Sequence, residues 1–159
     1  MTKGSWKIEY TAVIFVVLTA LAVFFKVMNA DVDYCRRIFK GLSQGSVSVE
    51  NLIDWENLKA LDQDIGADYR ALRNEAERIA YRRAFIRSFS LGFTQAEPRS
   101  GNFVNWRLDS KNTQSVTVAA DQLDKNRKRI KTILLTVSLY PRKKLISLRA
   151  YTGARPTDK

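Results

Sequence analysis

Carboxylate side chains are concentrated in one short stretch of the sequence, and clustered carboxylates are typical calcium ligands. Between residues 50 and 68 the chain carries Glu50, Asp54, Glu56, Asp62, Asp64 and Asp68. An EF-hand spaces its ligands over a loop of about twelve residues with a central Gly and a closing Glu. These carboxylates do not follow that spacing. The stretch is therefore typical of a solvated acidic loop, and we predict no bound metal.

Acid–base and nucleophilic chemistry have few candidates in this chain. There is no histidine, which removes the commonest general base and the commonest metal ligand. A tyrosine–aspartate pair, such as Tyr81 with Asp54, is a conceivable acid–base pair. Cys35 is the only cysteine, and it lies at or beside an apolar helical spacing, so we expect it to be a packing residue. We predict that the protein is not an enzyme and has no catalytic residue and no cofactor.

Basic residues are concentrated in the last third of the chain. Residues 101–159 hold 13 basic and 4 acidic side chains, a net charge of +9 out of +11 for the whole chain. An excess of this kind suits an anionic surface, an acidic partner or nucleic acid. Only Tyr140 stands beside the basic runs, so the aromatic residues on which bases stack are scarce and we predict no nucleic-acid partner. The candidate contacts to an anionic surface are Arg127, Lys128, Arg129, Lys131, Arg142, Lys143 and Lys144.

An uncharged segment near the N-terminus predicts a membrane anchor. Sixteen residues, Tyr10 to Phe25, carry no charge before Lys26 interrupts. A helix of that length reaches roughly 24 Å, and Val27 and Met28 extend it toward the length of a bilayer span. A cleaved signal peptide and a buried core helix are the alternatives, but no clean cleavage site follows the segment. We predict an N-terminal tail and transmembrane anchor over residues 1–30, with the following domain in the periplasm or otherwise outside the cytoplasm. Basic residues on both sides of the segment leave its orientation open.

Two further segments have helical periodicity. Residues 31–44 place Tyr34, Ile38 and Leu42 on one stripe, and Gly45 is the expected stop. Asn29 or Asp31 can cap this helix, or the helix continues directly from the apolar segment before it. A second helix starts with a capping box of Asn74 and Glu77. Its apolar face is formed by Tyr81, Phe85, Ile86, Phe89 and Phe93.

After Gly101 the apolar residues alternate with a period of two, which predicts strands. The first strand centres on Trp106, the second on Val118 and the third on Leu135, and residues 145–151 form the fourth. Tight turns are expected at residues 121–128 and 140–145. Helices followed by an antiparallel sheet indicate an α+β fold.

The layout resembles the NTF2-like, cystatin-related superfamily. The likeness rests on a leading helix (CRRIFKGLSQG), a LIDWENL segment, a long amphipathic helix (ERIAYRRAFIRSF) and a closing meander (TILLTVSLYPRKKLISLRAY). The layout is similar to that of superfamily members whose domain follows one N-terminal transmembrane span, such as inner-membrane assembly proteins of type IV secretion systems. The resemblance implies helices packed on a curved antiparallel sheet over residues 31–152, frequent dimerisation and a cone-shaped pocket. Residues 153–159 are expected to form a flexible tail. The candidate residues for lining that pocket, or for filling it as core, are Trp55, Tyr81, Phe85, Phe89 and Trp106.

Two functions are compatible with these features. The first is a single-pass membrane-anchored, non-enzymatic interaction or assembly module in a membrane protein complex. Its expected partners are the membrane, other proteins of that complex and a second copy of the chain. The alternative is an NTF2-like domain that binds a small apolar ligand in its cone.

Overall fold

The computed structural model describes residues 5–96, 103–124 and 126–152, and their side chains apart from those of residues 5–12, 24–28 and 94–96. The predicted tail at residues 153–159 lies outside the described residues. The helices are α1 (Ser5–Ser43), a 3₁₀ helix (Val47–Leu52), α2 (Ile65–Arg70) and α3 (Glu75–Ala96). The strands are β1 (Lys59–Ala60), β2 (Val104–Lys111), β3 (Ser115–Leu123), β4 (Arg129–Ser138) and β5 (Lys144–Thr152).

Helix α1 is continuous from Ser5 to Ser43 and passes through residue 30 without a break. Of the two alternatives for residues 31–44, continuation from the preceding segment is therefore confirmed, and a cap at Asn29 or Asp31 is wrong. The predicted stop at Gly45 is confirmed. Gly45 adopts a φ of 66°, and its N–H donates to the Leu42 carbonyl at 3.1 Å while the Ser46 N–H donates to the Gly41 carbonyl at 2.9 Å. These two bonds form a Schellman motif, which needs a residue that tolerates the left-handed conformation.

The predicted transmembrane helix is not found. Within residues 5–96, 103–124 and 126–152, no helix is long and apolar enough to cross a membrane. The described side chains of α1 between Val13 and Val23 are uncharged and exposed.

The sheet has five strands in the order β1-β5-β4-β3-β2. Strands β2 to β5 form an antiparallel meander, as the alternation predicted. Strand β1 pairs in parallel with β5, so the sheet is mixed and the prediction of a purely antiparallel sheet is wrong. A strand of two residues is too short to produce an alternation that can be recognised in the sequence. The α+β class is confirmed.

The core lies between one face of the sheet and the helices α1 and α3. On α1, Cys35, Ile38 and Leu42 are at most 1% exposed. They face the inward side chains of the meander, among which Val118 and Leu135 are fully buried. Helix α3 begins with the predicted capping box, in which Asn74 Oδ1 accepts from the Glu77 N–H at 2.9 Å. Its apolar face packs on the same core through Ile86, which is 1% exposed, and through its aromatic residues.

Asp31 fixes α1 to one end of the sheet. Its carboxylate accepts hydrogen bonds from Nζ of Lys111 at the end of β2, at 2.7 Å, and from Nζ of Lys143 in the turn between β4 and β5. The Tyr34 hydroxyl, one helical turn on, donates to the carbonyl of Lys143. Burial alone would raise the pKa of Asp31, but the hydrogen bonds and charges of the two lysines outweigh burial and hold this pKa below its usual value. The carboxylate is therefore ionised in the folded chain at neutral pH.

We expect Asp31→Asn to lower the free energy of unfolding at pH 7 by about 1–3 kcal/mol, because two charge-assisted hydrogen bonds weaken. A carboxylate whose pKa is lowered by folding stabilises the fold above its unfolded pKa of about 3.9, and this contribution is lost as the pH falls toward the folded pKa. The difference between the two chains should therefore shrink below about pH 4. Denaturant titrations of the full chain at several pH values measure this.

The control is Asp33→Asn. Asp33 is exposed and pairs with Arg36 at 3.5 Å, so its replacement should change the free energy of unfolding by under about 0.5 kcal/mol. Equal effects at the two positions, or a difference between Asp31→Asn and the unaltered chain that does not depend on pH, would contradict the role given to Asp31.

Candidate functional site

A partly enclosed cavity lies at the end of the sheet opposite to Asp31, between the helices and the inward face of β3, β4 and β5. Its volume is about 220 Å³. Its apolar wall comes from both helices, from the start of the meander and from the sheet, through Phe39, Phe89, Phe93, Phe103, Ile133 and Leu148. Phe39 on α1 packs edge-to-face on Phe103 and Phe93, with ring centroids 5.0 Å and 5.6 Å away. Edge-to-face packing of this kind holds an aromatic wall in a fixed geometry.

Gln122 is a buried polar residue in this wall, with 1% of its surface exposed. It continues along β3 the inward alternation of Val116, Val118 and Ala120. Neither its Nε2 nor its Oε1 has a hydrogen-bond partner among the described residues. Leaving such a group buried without a partner costs about 1–3 kcal/mol. A molecule that enters the cavity and pairs with this amide would recover part of that energy.

The charged residues that line the cavity are Lys131 and Arg149, and none of the described lining residues is acidic. Lys131 is the direct cross-strand neighbour of Gln122 in the register of β3 and β4. Alternation along β4 places Lys131 on the same face as Ile133, toward the cavity. Arg149 pairs with Leu134, so its side chain belongs to the alternate, outer face of the sheet. An amide and an ammonium group therefore stand side by side at the cavity.

The predicted pocket residues have different locations. Phe89 lines the cavity. Trp55 is 7% exposed, and its indole Nε1 donates to the Glu50 carbonyl at 2.9 Å. Phe85 packs edge-to-face on Trp55, with ring centroids 5.6 Å apart. The ring centroid of Tyr81 lies 6.1 Å from that of Tyr69. Trp55, Phe85 and Tyr81 therefore pack against other aromatic rings and do not line the cavity.

Trp106 lies on a separate surface. It lines a groove with Arg36 of α1, whose guanidinium lies 5.7 Å from the centre of the indole ring. Its Nε1 donates to the Phe103 carbonyl at 2.9 Å. The indole N–H therefore has a partner within the chain.

Tyr81 and Asp54 do not form the conceivable acid–base pair. The Tyr81 hydroxyl lies 3.5 Å from Oδ2 of Asp68, whereas Oδ2 of Asp54 accepts from the Asn57 side chain at 3.1 Å. Burial, together with the charge of Asp68, raises the pKa of Tyr81. This hydroxyl is therefore protonated at neutral pH and is not available as a base.

Carboxylates of the acidic stretch are used within the fold. Glu50 contacts Arg82 at 3.5 Å and Arg83 at 3.9 Å across to α3. Asp64 caps α2, where its Oδ1 accepts from the Ala67 N–H at 3.0 Å. Among residues 5–96, 103–124 and 126–152, no group of three potential ligands is placed to hold a metal ion.

The two predicted basic runs are at opposite ends of β4. Arg127 and Lys128 lie in the exposed turn that precedes the strand, and Arg129 begins it. Arg142, Lys143 and Lys144 follow its other end, where Lys143 is held by Asp31. Lys131 alternates inward to the cavity. The seven residues therefore do not form one continuous surface, and their contact with an anionic surface stays a prediction.

Cys35 is confirmed as a packing residue, since none of its surface is exposed. Burial, reinforced by the charge of Asp31, raises the pKa of this thiol to about 12. The thiol is therefore protonated at neutral pH, and it is a poor nucleophile because the thiolate is the reactive form.

Gln122 is a candidate binding residue that the sequence reasoning did not identify. A signal for it exists, since Gln122 stands two residues after Ala120 in the alternation of Val116, Val118 and Ala120. Continuing that alternation by one step points a polar side chain inward. The predicted strand centres on Val118, and the inward position after Ala120 lies beyond the residues that predict it.

No protein-family model, curated protein or solved structure matches this chain. The resemblance to the NTF2-like superfamily therefore stays a prediction.

Proposed function

We propose that the chain is a non-enzymatic binding module whose cavity takes a small molecule with an apolar body and one hydrogen-bonding group. The observation that carries the proposal is the buried amide of Gln122, which has no partner among the described residues. The mostly apolar wall suits the body of such a ligand, and the amide suits its polar end.

The size of the cavity limits the ligand. An engineered cavity of about 150 Å³ in another protein holds benzene, which has six heavy atoms. By that ratio, the cavity of about 220 Å³ accommodates about nine heavy atoms. 1-Octanol, which has an apolar chain and one hydroxyl, is therefore a suitable probe.

We expect Gln122→Leu to weaken the binding of 1-octanol about fivefold, because one hydrogen bond between the ligand and the amide is lost. The same change should leave the free energy of unfolding of the ligand-free chain equal or higher, because it replaces an unpaired buried amide with an apolar group of similar size. Isothermal titration calorimetry of the full chain measures the first effect, and denaturant titration measures the second.

The matched control is Gln114→Leu. Gln114 is an exposed glutamine in the turn between β2 and β3, at the far end of the sheet. The Gln114→Leu variant should bind 1-octanol with the same affinity as the unaltered chain. Absence of saturable binding to the unaltered chain would overturn the proposed function, as would equal binding by the Gln122→Leu variant.

We also propose that the chain acts as an assembly module, in which α1 binds a second copy of the chain. The apolar residues between Val13 and Val23 support this, because their large side chains are all 46% or more exposed. Monomeric proteins rarely leave a continuous apolar surface of this kind uncovered. A second copy offers a matching apolar helix, and the apolar residues occur on every side of α1, so two such helices can pack together.

We expect Leu18→Glu to convert the assembled chain to monomers, because a charge is placed within the apolar contact. The control is Val47→Glu, since Leu18 and Val47 are both 59% exposed and Val47 lies outside α1. Analytical ultracentrifugation of the full chain measures the outcome. A monomeric unaltered chain, or an equal effect of the two changes, would contradict the assembly proposal.

A further inference from the structure

We infer that the ligand of the cavity is an uncharged carboxamide, a lactam or a primary amide, with an apolar body. This inference rests on the proposed binding function and names the chemical class of the ligand's polar group. It is carried by the Gln122 side chain, which lines the cavity and is 1% exposed. Both its Nε2 and its Oε1 are without a hydrogen-bond partner in the part of the chain that the structure describes.

The two unpaired atoms of Gln122 need opposite partners. Nε2 carries N–H donors and needs an acceptor, whereas Oε1 is an acceptor and needs a donor. One N–H and one carbonyl lone pair point in nearly the same direction from the planar amide. Two adjacent atoms of a ligand are therefore required to form two well-aligned hydrogen bonds. Glutamine pairs in this manner with the edge of adenine, where an amino donor lies next to a ring nitrogen acceptor.

The edge of a carboxamide is complementary to the edge of the Gln122 amide. In a lactam or a primary amide, an N–H lies beside the carbonyl oxygen, and resonance holds both in one plane. The N–H of the ligand then donates to Oε1, and its carbonyl accepts from Nε2. The match holds for either orientation of the Gln122 amide, because the ligand can turn over and present the two groups in the opposite order.

Other polar groups of similar size leave one atom of the amide unpaired. A ketone has no donor, and a carboxylic acid that is ionised at neutral pH has none either, so neither pairs with Oε1. The oxygen of an alcohol is a single atom and aligns well with only one of the two amide atoms. Adenine has further ring nitrogens, which the apolar wall of this cavity would leave without partners.

The neighbours of Gln122 in the cavity do not compete for its amide. Phe39, Phe93 and Phe103 have apolar side chains and cannot pair with it. Lys131, the cross-strand neighbour, already interacts within the chain, so no negative charge is required of the ligand. The polar edge of the ligand therefore meets Gln122, while its body meets an aromatic and aliphatic wall.

The test compares each amide with the ketone of the same shape, benzamide with acetophenone and ε-caprolactam with cycloheptanone. In each pair the ketone has a methyl or methylene group in place of the NH₂ or NH group. All four compounds are within the size of about nine heavy atoms that the cavity accommodates. Isothermal titration calorimetry of the full chain should show that the amide binds about fivefold more tightly than its ketone in at least one pair, because one more hydrogen bond forms. The pair with the tighter amide shows whether the body is aromatic or aliphatic.

Gln122→Leu should remove the preference for the amide, so that the ketone binds at least as tightly as the amide. An apolar side chain then faces both compounds, and the N–H of the amide is buried without a partner. Binding of the ketone also shows that the variant is folded with its cavity intact. The matched control is Gln114→Leu, at the exposed glutamine in the turn between β2 and β3, which should keep the full preference.

The inference is overturned if the ketones bind as tightly as the amides in both pairs. It is also overturned if Gln122→Leu keeps the preference or if Gln114→Leu loses it. In these cases binding of the ketones leaves the proposed function standing. If none of the four compounds binds, the inference fails, and the titration with 1-octanol shows separately whether the proposed function stands.

Discussion

The structure depends on one apolar contact, between the second half of α1 and the inward face of the meander. Ile38 and Leu42 of α1 belong to the same buried cluster as Val118 and Leu135 of the sheet, and all four side chains are at most 1% exposed. Once that face is buried, the period of two along each strand determines where every other strand residue points. At one end of the sheet, the ion pairs of Asp31 hold α1 in this register. At the other end, the same alternation turns Gln122 and Lys131 inward, where the aromatic walls leave a cavity.

This arrangement explains how an energetically unfavourable group persists. A register slip of one residue would turn Gln122 to solvent, but it would also expose Val116, Val118 and Ala120. Burial of those three side chains outweighs the cost of about 1–3 kcal/mol for one unpaired amide. Natural folds keep local conflicts of this kind mostly at functional sites. The position of Lys131 beside the amide, on the same inward face, is the second departure from an apolar lining at this place.

Much of the fold follows from local sequence signals. The capping box of Asn74 and Glu77, the stop at Gly45 and the alternation through Val118 and Leu135 each depend on residues close in the chain, and each predicted its element. The predictions are wrong where residues that are distant in the sequence determine the local structure. Asp31 looks like a helix cap until Lys111 and Lys143 are brought beside it by the fold, and β1 is too short to show a period. The transmembrane prediction rests on the uncharged stretch, its length and the lack of a cleavage site. The aromatic stripe does not distinguish the rings that fill the core from those that line a space.

The most direct measurement is an NMR titration of the full chain labelled with ¹⁵N. The side-chain NH₂ signals of Gln122 are assigned by their absence from the spectrum of the Gln122→Leu variant, and those of Gln114 serve as the internal reference. On addition of 1-octanol, both NH₂ signals of Gln122 should shift saturably, with contacts between the ligand and Phe89 or Ile133, while the Gln114 signals stay in place. If the Gln122 signals stay unchanged at concentrations that shift other resonances of the chain, the amide is not the partner of the ligand.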